Sequence, residues 1–536
     1  MSTVETPVAA PPSGAQGTVR RLIVYSILFV LVVVAAAGGS GLLGRLLETR
    51  PDLGSGAGGL ALSLAFALIA GPLAAVLWWF LWRRLDGPDR SSVAWGLYVS
   101  GISFVALVTS ATSLLGAAAD GIGGTWSPES LATGVTWLAV WLIHRAMWAH
   151  RGKGPLRLRP VPIVLGAAYG LVVGASGAIR ALQSLFGEAL LEPGAQLGAP
   201  WWQPALQALV WTIGGALVWW WHWRRDGARS LRGGFASVVL VVTGVLAAAA
   251  VALGGFGTAL YVALRTLFDR DDPWPVVLEP LPLAVAAAAI GAVVWVYHAG
   301  VARERSAATR SAALLVEAGI GLIGAASGIG VIVNAALSAI ATPLAGSSAR
   351  ALLLGGIAAL VVGAPLWWVA WRPLHRAHAA AAGRRIYLVA VFGVSAVVAI
   401  VALLVVGYRI FELVLDGSGG SALIERIRAP FGLLLATALV AGYHFAIWRR
   451  DRAASPPVGR TRAIDRVILV SSGDTAALAA AVGAATGAAV TQWVRADGTG
   501  SAAPEAVVQA LVGVEGRRVL VVTGPGDRVD VVPLAD

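Results

Sequence analysis

The sequence predicts an all-α polytopic membrane protein of about twelve transmembrane helices, arranged as six parallel two-helix repeats, with a small soluble α/β domain at the C-terminus. The 536 residues are 57% hydrophobic and only 13% charged, and the mean hydropathy is +0.77. Most of the chain lies in apolar runs of about 20 residues or more, the length that crosses about 30 Å of hydrocarbon. This composition excludes an ordinary soluble globular protein.

The positions of the apolar runs predict twelve spans. These spans cover 22–44, 61–82, 93–116, 131–149, 161–185, 204–223, 235–264, 280–299, 311–340, 350–371, 386–411 and 429–448. Residues 1–19 form a Pro/Ala/Ser tail without an apolar region and cleavage site, so we expect a disordered cytoplasmic tail and a first span that directs insertion itself. The predicted domains are three pairs of repeats, a linker and a terminal domain, at 20–159, 160–305, 306–452, 453–463 and 464–536.

The distribution of basic residues predicts the orientation of the spans. The N-terminal flank and the turns after even-numbered spans carry 24 Arg and Lys residues, whereas the opposite ends carry 9. By the positive-inside rule, the basic side faces the cytoplasm, and both termini are therefore cytoplasmic. We expect a multi-pass protein of the bacterial inner membrane, in contact with the lipid bilayer and without a nucleic-acid partner.

An aromatic and basic string ends the second helix of each predicted repeat. The strings begin at Trp78, Trp141, Trp219, Trp295, Trp367 and Ala441, which gives a period of about 73 residues. A unit of two spans re-enters the membrane in the same orientation, so the units are predicted to be parallel repeats. Small residues should form the helix contacts, most clearly in GASGAIRAL from Gly174 and GIGLIGAASGIG from Gly319.

These motifs resemble those of the DUF5671 family of bacterial membrane proteins. The resemblance is carried by YRIFELVLDG from Tyr408, by the Trp-His-Trp-Arg helix ending, and by RRIYLVAVFGV from Arg384, which opens the next helix. The family domain has about four helices, so the resemblance implies about three copies within 20–452. It implies an architecture and no activity.

Four of the seven histidines occur at the same place in four repeats: His144, His222, His298 and His444. Imidazoles at one depth could ligate a haem or a divalent metal. The favoured interpretation is an interfacial belt of Trp, His and Arg side chains among the headgroups, because no carboxylate accompanies the histidines. The sequence therefore predicts no metal site and no cofactor.

Glu317 is the acid predicted to lie well inside a span, and Asn334 lies in the same span. An ionisable group inside the membrane is costly and suggests a function, such as a proton or cation relay. The alternative is a protonated or hydrogen-bonded Glu317 that joins two helices, which we favour for a single acid that does not recur. The two residues are 17 positions apart, about 25 Å along a helix, so they cannot form one local site.

Arginines recur near the opposite, outer ends of the first helices, at Arg45, Arg180, Arg265 and Arg409. A ring of these side chains could attract anions or anionic headgroups. We favour pairing with Glu48, Asp269, Glu412 or Asp416, or extension of the side chains to the interface.

The C-terminal segment changes composition after Arg452 and predicts a βαβαββ order with a closing hairpin around GPGD. Ser471, Ser472, Gly473 and Asp474 lie where a strand leads into a helix N-terminus, which could bind an anion. An ordinary turn capped by Asp474 is favoured, because no phosphate-binding glycine motif is present.

No nucleophile, base and acid constellation is recognisable, and the chain has no Cys. We therefore expect no catalytic residues. The favoured role is a non-enzymatic membrane scaffold or sensor whose cytoplasmic domain binds a protein partner. The alternatives are a transporter or channel for a small solute, ion or lipid, and a haem-binding membrane protein.

Overall fold

The structure is a computed structural model. It describes residues 14–48, 56–85, 87–190, 200, 202–269, 272–340, 349–376, 382–416, 420–454, 464–472, 475–498, 502–514 and 516–534. The chain divides into two compact units, Met1–Trp448 and Arg449–Asp536. Each unit is described by itself.

The first unit is built from long helices in three successive groups of four. The first group contains α1 (Gly14–Leu47), α2 (Gly56–Ala65 and Gly71–Arg84, joined by the π-helical turn Phe66–Ala70), α3 (Val93–Ile122) and α4 (Pro128–Ala149). The second contains α5 (Val161–Leu190), α6 (Trp202–Trp220, continued by the π-helical turn Trp221–Arg225), α7 (Gly234–Val239 and Ala248–Phe268, joined by the π-helical segment Leu240–Ala247) and α8 (Leu281–Arg305). The third contains α9 (Ala307–Ile340), α10 (Ala349–Arg376), α11 (Ala382–Asp416) and α12 (Gly420–Ala454).

Ten of these helices are long and apolar enough to cross a membrane, among the residues that the structure describes. The other two, α4 and α6, are 22 and 19 residues long. The chain is therefore a multi-pass membrane protein. The count of twelve spans stays a prediction.

Successive helices form antiparallel pairs that approach through glycine. Along α5, a Cβ added at Gly170, Gly174 or Gly177 would lie 2.3–2.9 Å from backbone nitrogens of α6. The partner positions on α6 run backwards, from Trp219 to Thr212, as α5 advances. Glycines 321, 324 and 328 of α9 approach α10 in the same way. Because no side chain separates the backbones there, the helices gain close van der Waals contact, as predicted for these two sequences.

The groups of four helices pack on one another in a recurring way. Helix α3 of the first group contacts α5 and α6, and α7 of the second group contacts α9 and α10. Within a group, the first helix also contacts the fourth, as α1 contacts α4 and α5 contacts α8. The third helix of one group thus lies against the first two helices of the next group.

The second unit contains a four-stranded sheet of order β2-β1-β3-β4. Its strands are β1 (Arg466–Ser471), β2 (Ala489–Val494), β3 (Arg518–Thr523) and β4 (Val529–Leu534), and its helices are α13 (Thr475–Thr486) and α14 (Pro504–Ala510). Strand β1 is parallel to β2 and β3, and β4 closes an antiparallel hairpin with β3. The predicted βαβαββ order is confirmed.

One face of this sheet carries the core of the second unit. Val467, Leu469 and Val519 are fully buried against Val482 of α13 and Val507 of α14. Buried and less buried residues alternate along β1 and β3, as expected when helices cover one face. Strand β2 forms one edge of the sheet, and its residues are mostly exposed.

Candidate functional site

Each group of four helices contains a cluster of aromatic rings around one histidine. The second helix of the group contributes two tryptophans four residues apart, a spacing that places both rings on one helix face. The fourth helix contributes the histidine. The first cluster contains Trp78, Trp82, Trp95, Tyr98 and His144, where Trp95 connects Trp82 to Tyr98; the second contains Trp219, Trp223, Tyr297 and His298; the third contains Trp367, Trp371, Tyr387, Tyr443 and His444.

The histidine rings share one tautomer. In His144, His298 and His444, Nδ1 lies 2.7–2.8 Å from the carbonyl oxygen four residues earlier. His222 makes the same contact with Val218 at 2.9 Å. Since a carbonyl oxygen only accepts, each Nδ1 carries the proton, and in the neutral ring Nε2 is an acceptor.

The environment of Nε2 differs between the clusters. In the first cluster, the Tyr98 hydroxyl lies 2.9 Å from His144 Nε2 and donates to it. In the second and third clusters, Nε2 of His298 and of His444 is buried and has no hydrogen-bond partner among the described residues. Both ring nitrogens of His144 are therefore hydrogen-bonded, whereas the rings of His298 and His444 each leave an acceptor unsatisfied among the described residues.

His222 lies in a different setting from the other three histidines. It is on the second helix of its group, and its ring packs against α5, where a Cβ added at Gly166 would lie 2.6 Å from the ring. Its Nε2 is 3.9 Å from a carboxylate oxygen of Asp226, which also pairs with Arg145. The sequence predicts that the four histidines occupy the same place in four repeats. In the structure, one histidine lies in each of the three clusters, and the fourth, His222, lies beside an ion pair.

All four histidine side chains are buried in the protein, with 0–4% exposure. This burial differs from the expected belt, in which the rings would lie among lipid headgroups. Three of the four also occupy three separate clusters. Among the described residues, no three His, Cys, Asp or Glu side chains are grouped so that they could hold a metal ion.

The second cluster borders a cavity of about 20 Å³. Its lining includes Trp219, Trp223, His298, Arg305 and residues of the π-helical segment of α7. Tyr98 of α3 and Tyr387 of α11 are each the sixth residue of the third helix in their groups, whereas the sixth residue of α7 is Val239. Val239 and Leu240 line the cavity.

Two of the three π-helical segments in the described chain adjoin this cavity. The turn Trp221–Arg225 contributes Trp223, and the segment Leu240–Ala247 contributes Leu240 and Thr243. Such insertions are rare and occur frequently at functional sites. The second cluster is therefore the strongest candidate site in the first unit.

Glu317 lies in α9, where it is 3% exposed, and its Oε1 accepts a 2.8 Å hydrogen bond from Trp295 Nε1 of α8. Asn334 lies farther along α9, and its Oδ1 accepts from Arg428 of α12 at 3.0 Å. Arg428 also pairs with Glu425 at 2.7 Å. The two polar residues thus have separate partners on different helices.

The four predicted outer-end arginines have different surroundings. Arg265 pairs with Asp269 at 3.2 Å and with Asp272, and Arg409 pairs with Glu412 at 2.9 Å. Arg45 packs against α2, where a Cβ added at Gly59 would lie 2.7 Å from its Nη2. Arg180 lines a cavity of about 610 Å³ together with Asp120, Gln183, Ser184 and Gln207.

The predicted anion-binding turn of the second unit is only partly visible. Ser471 ends β1 and is fully buried, and Ser472 follows it. Gly473 and Asp474 lie outside the described residues.

Sequence reasoning missed the partners of the predicted residues. Tyr98, Trp295 and Arg305 were not identified as site residues, although the last was counted among the basic turn residues. One sequence signal was available, because Trp78 and Trp82, Trp219 and Trp223, and Trp367 and Trp371 repeat the same four-residue spacing. The partners themselves come from other helices, so their contacts have no signature in the local sequence.

The repeated geometry agrees with the comparison to protein families. The family described as a domain of unknown function (DUF5671) matches the chain three times, over residues 21–146, 161–274 and 312–443. Each match falls on one group of helices and confirms the predicted three copies. No curated protein and no solved structure matches the chain.

Proposed function

The chain belongs to the DUF5671 family, and from this premise we propose that it is a non-enzymatic membrane scaffold or sensor whose C-terminal domain binds a protein partner in the cytoplasm. The observation that carries this proposal is the exposed edge strand β2. Trp493 and Val494 at its end are 58% and 72% exposed. An edge strand with exposed apolar side chains is a template for the addition of a strand from another chain.

The position of β2 in the sheet gives this edge its binding capacity. Strand β1 occupies one side of β2, and none of the described strands lies on its other side. Trp493 is paired in register with Val470 of β1, on the face opposite the fully buried Val467 and Leu469. A partner strand could add its backbone hydrogen bonds to β2 and cover the Trp493 ring at the same time.

The arrangement of the helices supports twelve spans and a cytoplasmic C-terminal domain, which this proposal requires. Helices α4 and α6 form antiparallel pairs with α3 and α5, which supports twelve spans in six two-helix units of like orientation. The basic turns then all lie on one side, which by the positive-inside rule is the cytoplasmic side of a bacterial inner membrane. The C-terminal domain would face the cytoplasm.

The proposal can be tested by crosslinking in cells. A photoreactive amino acid at Trp493 of the full chain should capture a defined protein, whereas the same amino acid at exposed Ala480 of α13 should not. Val494→Lys places a charge on the edge and should abolish the crosslink. Val532→Lys on the opposite edge strand is the matched control, because Val532 is also exposed, at 46%. Equal crosslinking in both lysine variants would refute partner binding at β2.

Transport of a small polar solute is a second candidate, favoured by the cavity that Asp120 and Arg180 line. The carboxylate of Asp120 and the guanidinium of Arg180 carry opposite charges and are suited to a small zwitterionic solute. The polar side chains of Gln183, Ser184 and Gln207 could form hydrogen bonds with it. The contact between Glu317 and Trp295 argues against a relay through Glu317, because the carboxylate is buried and already bonded. Uptake of labelled solutes into vesicles containing the wild type, and its loss in Arg180→Gln, would favour transport over scaffolding.

A further inference from the structure

The side chain of Arg305 is a buried cation at the end of α8. It is 9% exposed, and its Nη2 donates to the carbonyl oxygens of Ala228 and Arg229 at 3.0 and 3.3 Å. Its Nε and Nη1 are buried and have no hydrogen-bond partner in the described chain. No described carboxylate forms an ion pair with it within 4.0 Å, although arginines of the chain such as Arg265 and Arg409 do have such partners.

A second unsatisfied donor lines the same cavity. Trp219 Nε1 is buried and has no hydrogen-bond partner among the residues that the structure describes, and both Trp219 and Arg305 line the 20 Å³ space beside the second cluster. His298 also lines it, but its Nδ1 proton is used by Val294, so neutral His298 offers only an acceptor at Nε2. The lining residues therefore combine a positive charge and N–H donors that have no partner among the described residues with one acceptor, His298 Nε2.

These two features point to an anion and limit its size. A buried charge is strongly unfavourable unless an opposite charge or hydrogen bonds compensate it. A water molecule could satisfy hydrogen bonds but would not supply the missing negative charge. The cavity has room for about one water-sized occupant, which excludes a lipid phosphate or a nucleotide.

We propose that the second cluster binds one small inorganic anion of halide size, held by the guanidinium of Arg305 and the indole N–H of Trp219. The cavity and Arg305 both lie within the second group of helices, so the proposed site belongs to that group. The anion would join α6 to α8 and stabilise the native arrangement of this group.

The test uses the purified full-length protein in detergent, at constant pH and ionic strength, with sodium gluconate replaced stepwise by sodium chloride. Binding to the native state alone raises the melting temperature in a saturable way. Gluconate is too large for the cavity and should give no such rise. Broadening of the chloride NMR signal by the protein, and its reversal by bromide, would report the same site directly.

Two variants test whether the rise in melting temperature with chloride arises at the site of Arg305 and Trp219. Trp219→Phe removes one hydrogen bond to a charged ligand and should raise the half-saturating chloride concentration about tenfold or more. Arg305→Gln should abolish the chloride response. Trp220→Phe and Arg303→Gln change exposed neighbours on the same helices and should respond to chloride as the wild type does.

Two results would overturn the proposal. One is a wild-type melting temperature that is the same in chloride and in gluconate, which is the outcome expected if the cavity holds only water. The other is an unchanged chloride response in Trp219→Phe, which decides the question even where Arg305→Gln fails to fold.

Discussion

The indole nitrogen of Trp295 donates a 2.8 Å hydrogen bond to the carboxylate of Glu317, and this bond joins the second group of helices to the third. The two residues lie on α8 and α9, which only Ser306 separates in the chain. An acid inside an apolar helix is thereby satisfied by a neighbouring helix. The contact gives Glu317 a structural role, as a link between two successive groups of helices.

Loss of this hydrogen bond should destabilise the protein. Trp295→Phe leaves the buried carboxyl group without its donor, and we expect a loss of about 1–3 kcal/mol in the free energy of unfolding. Glu317→Gln retains an oxygen that can accept from Trp295, so most of the stability should remain. Thermal unfolding in detergent measures both variants, with the exposed Trp220→Phe as control. Equal stability of Trp295→Phe and Trp220→Phe would contradict the structural role.

The hydrogen bond between Tyr98 and His144 makes a second prediction. Tyr98→Phe leaves His144 Nε2 buried and unpaired, the state already found at His298 and His444. We expect Tyr98→Phe to lower the free energy of unfolding by about 1–3 kcal/mol, which is measured as a lower melting temperature. Tyr408→Phe is the control, because Tyr408 is 59% exposed. If both variants melt at the same temperature, the first cluster does not depend on this bond.

The glycine contacts between α5 and α6 predict that the effect of a glycine-to-alanine substitution on stability depends strongly on its position. A Cβ added at Gly215 would lie 2.2 Å from the backbone nitrogen of Gly174, so Gly215→Ala forces the two helices apart. Overpacking of this kind costs about 1–3 kcal/mol or more. Gly254→Ala is the matched control, since an added Cβ there meets nothing within 4 Å. The yield of monodisperse protein and its melting temperature should fall only for Gly215→Ala.

The predicted orientation can be mapped with single cysteines, because the chain has none of its own. A membrane-impermeant maleimide added to intact bacterial spheroplasts should label Thr125→Cys, in the exposed turn between α3 and α4. It should label Gly152→Cys, in the basic turn after α4, only after the membrane is permeabilised. The reverse labelling pattern would place the basic turns and both termini outside the cell.

The membrane-spanning architecture could be predicted from the sequence because a bilayer requires long apolar helices. Apolar length predicted the long helices, and the resemblance to the DUF5671 family implied the three copies that the family comparison confirms. The spacing of glycines in α5 and α9 predicted their close contacts. In the C-terminal domain, alternating apolar residues and turn residues predicted the order of the strands.

The sequence by itself therefore determined the membrane class and the small α/β domain, since these depend on composition and on local periodicity, whereas the six two-helix repeats stay a prediction. Only the tertiary structure decided which polar groups are paired. Trp295 reaches Glu317, and Tyr98 reaches His144, because helix packing brings their side chains together across a helix interface. The same packing leaves Nε and Nη1 of Arg305 and Nε1 of Trp219 buried without a hydrogen-bond partner among the described residues, and both side chains line one cavity.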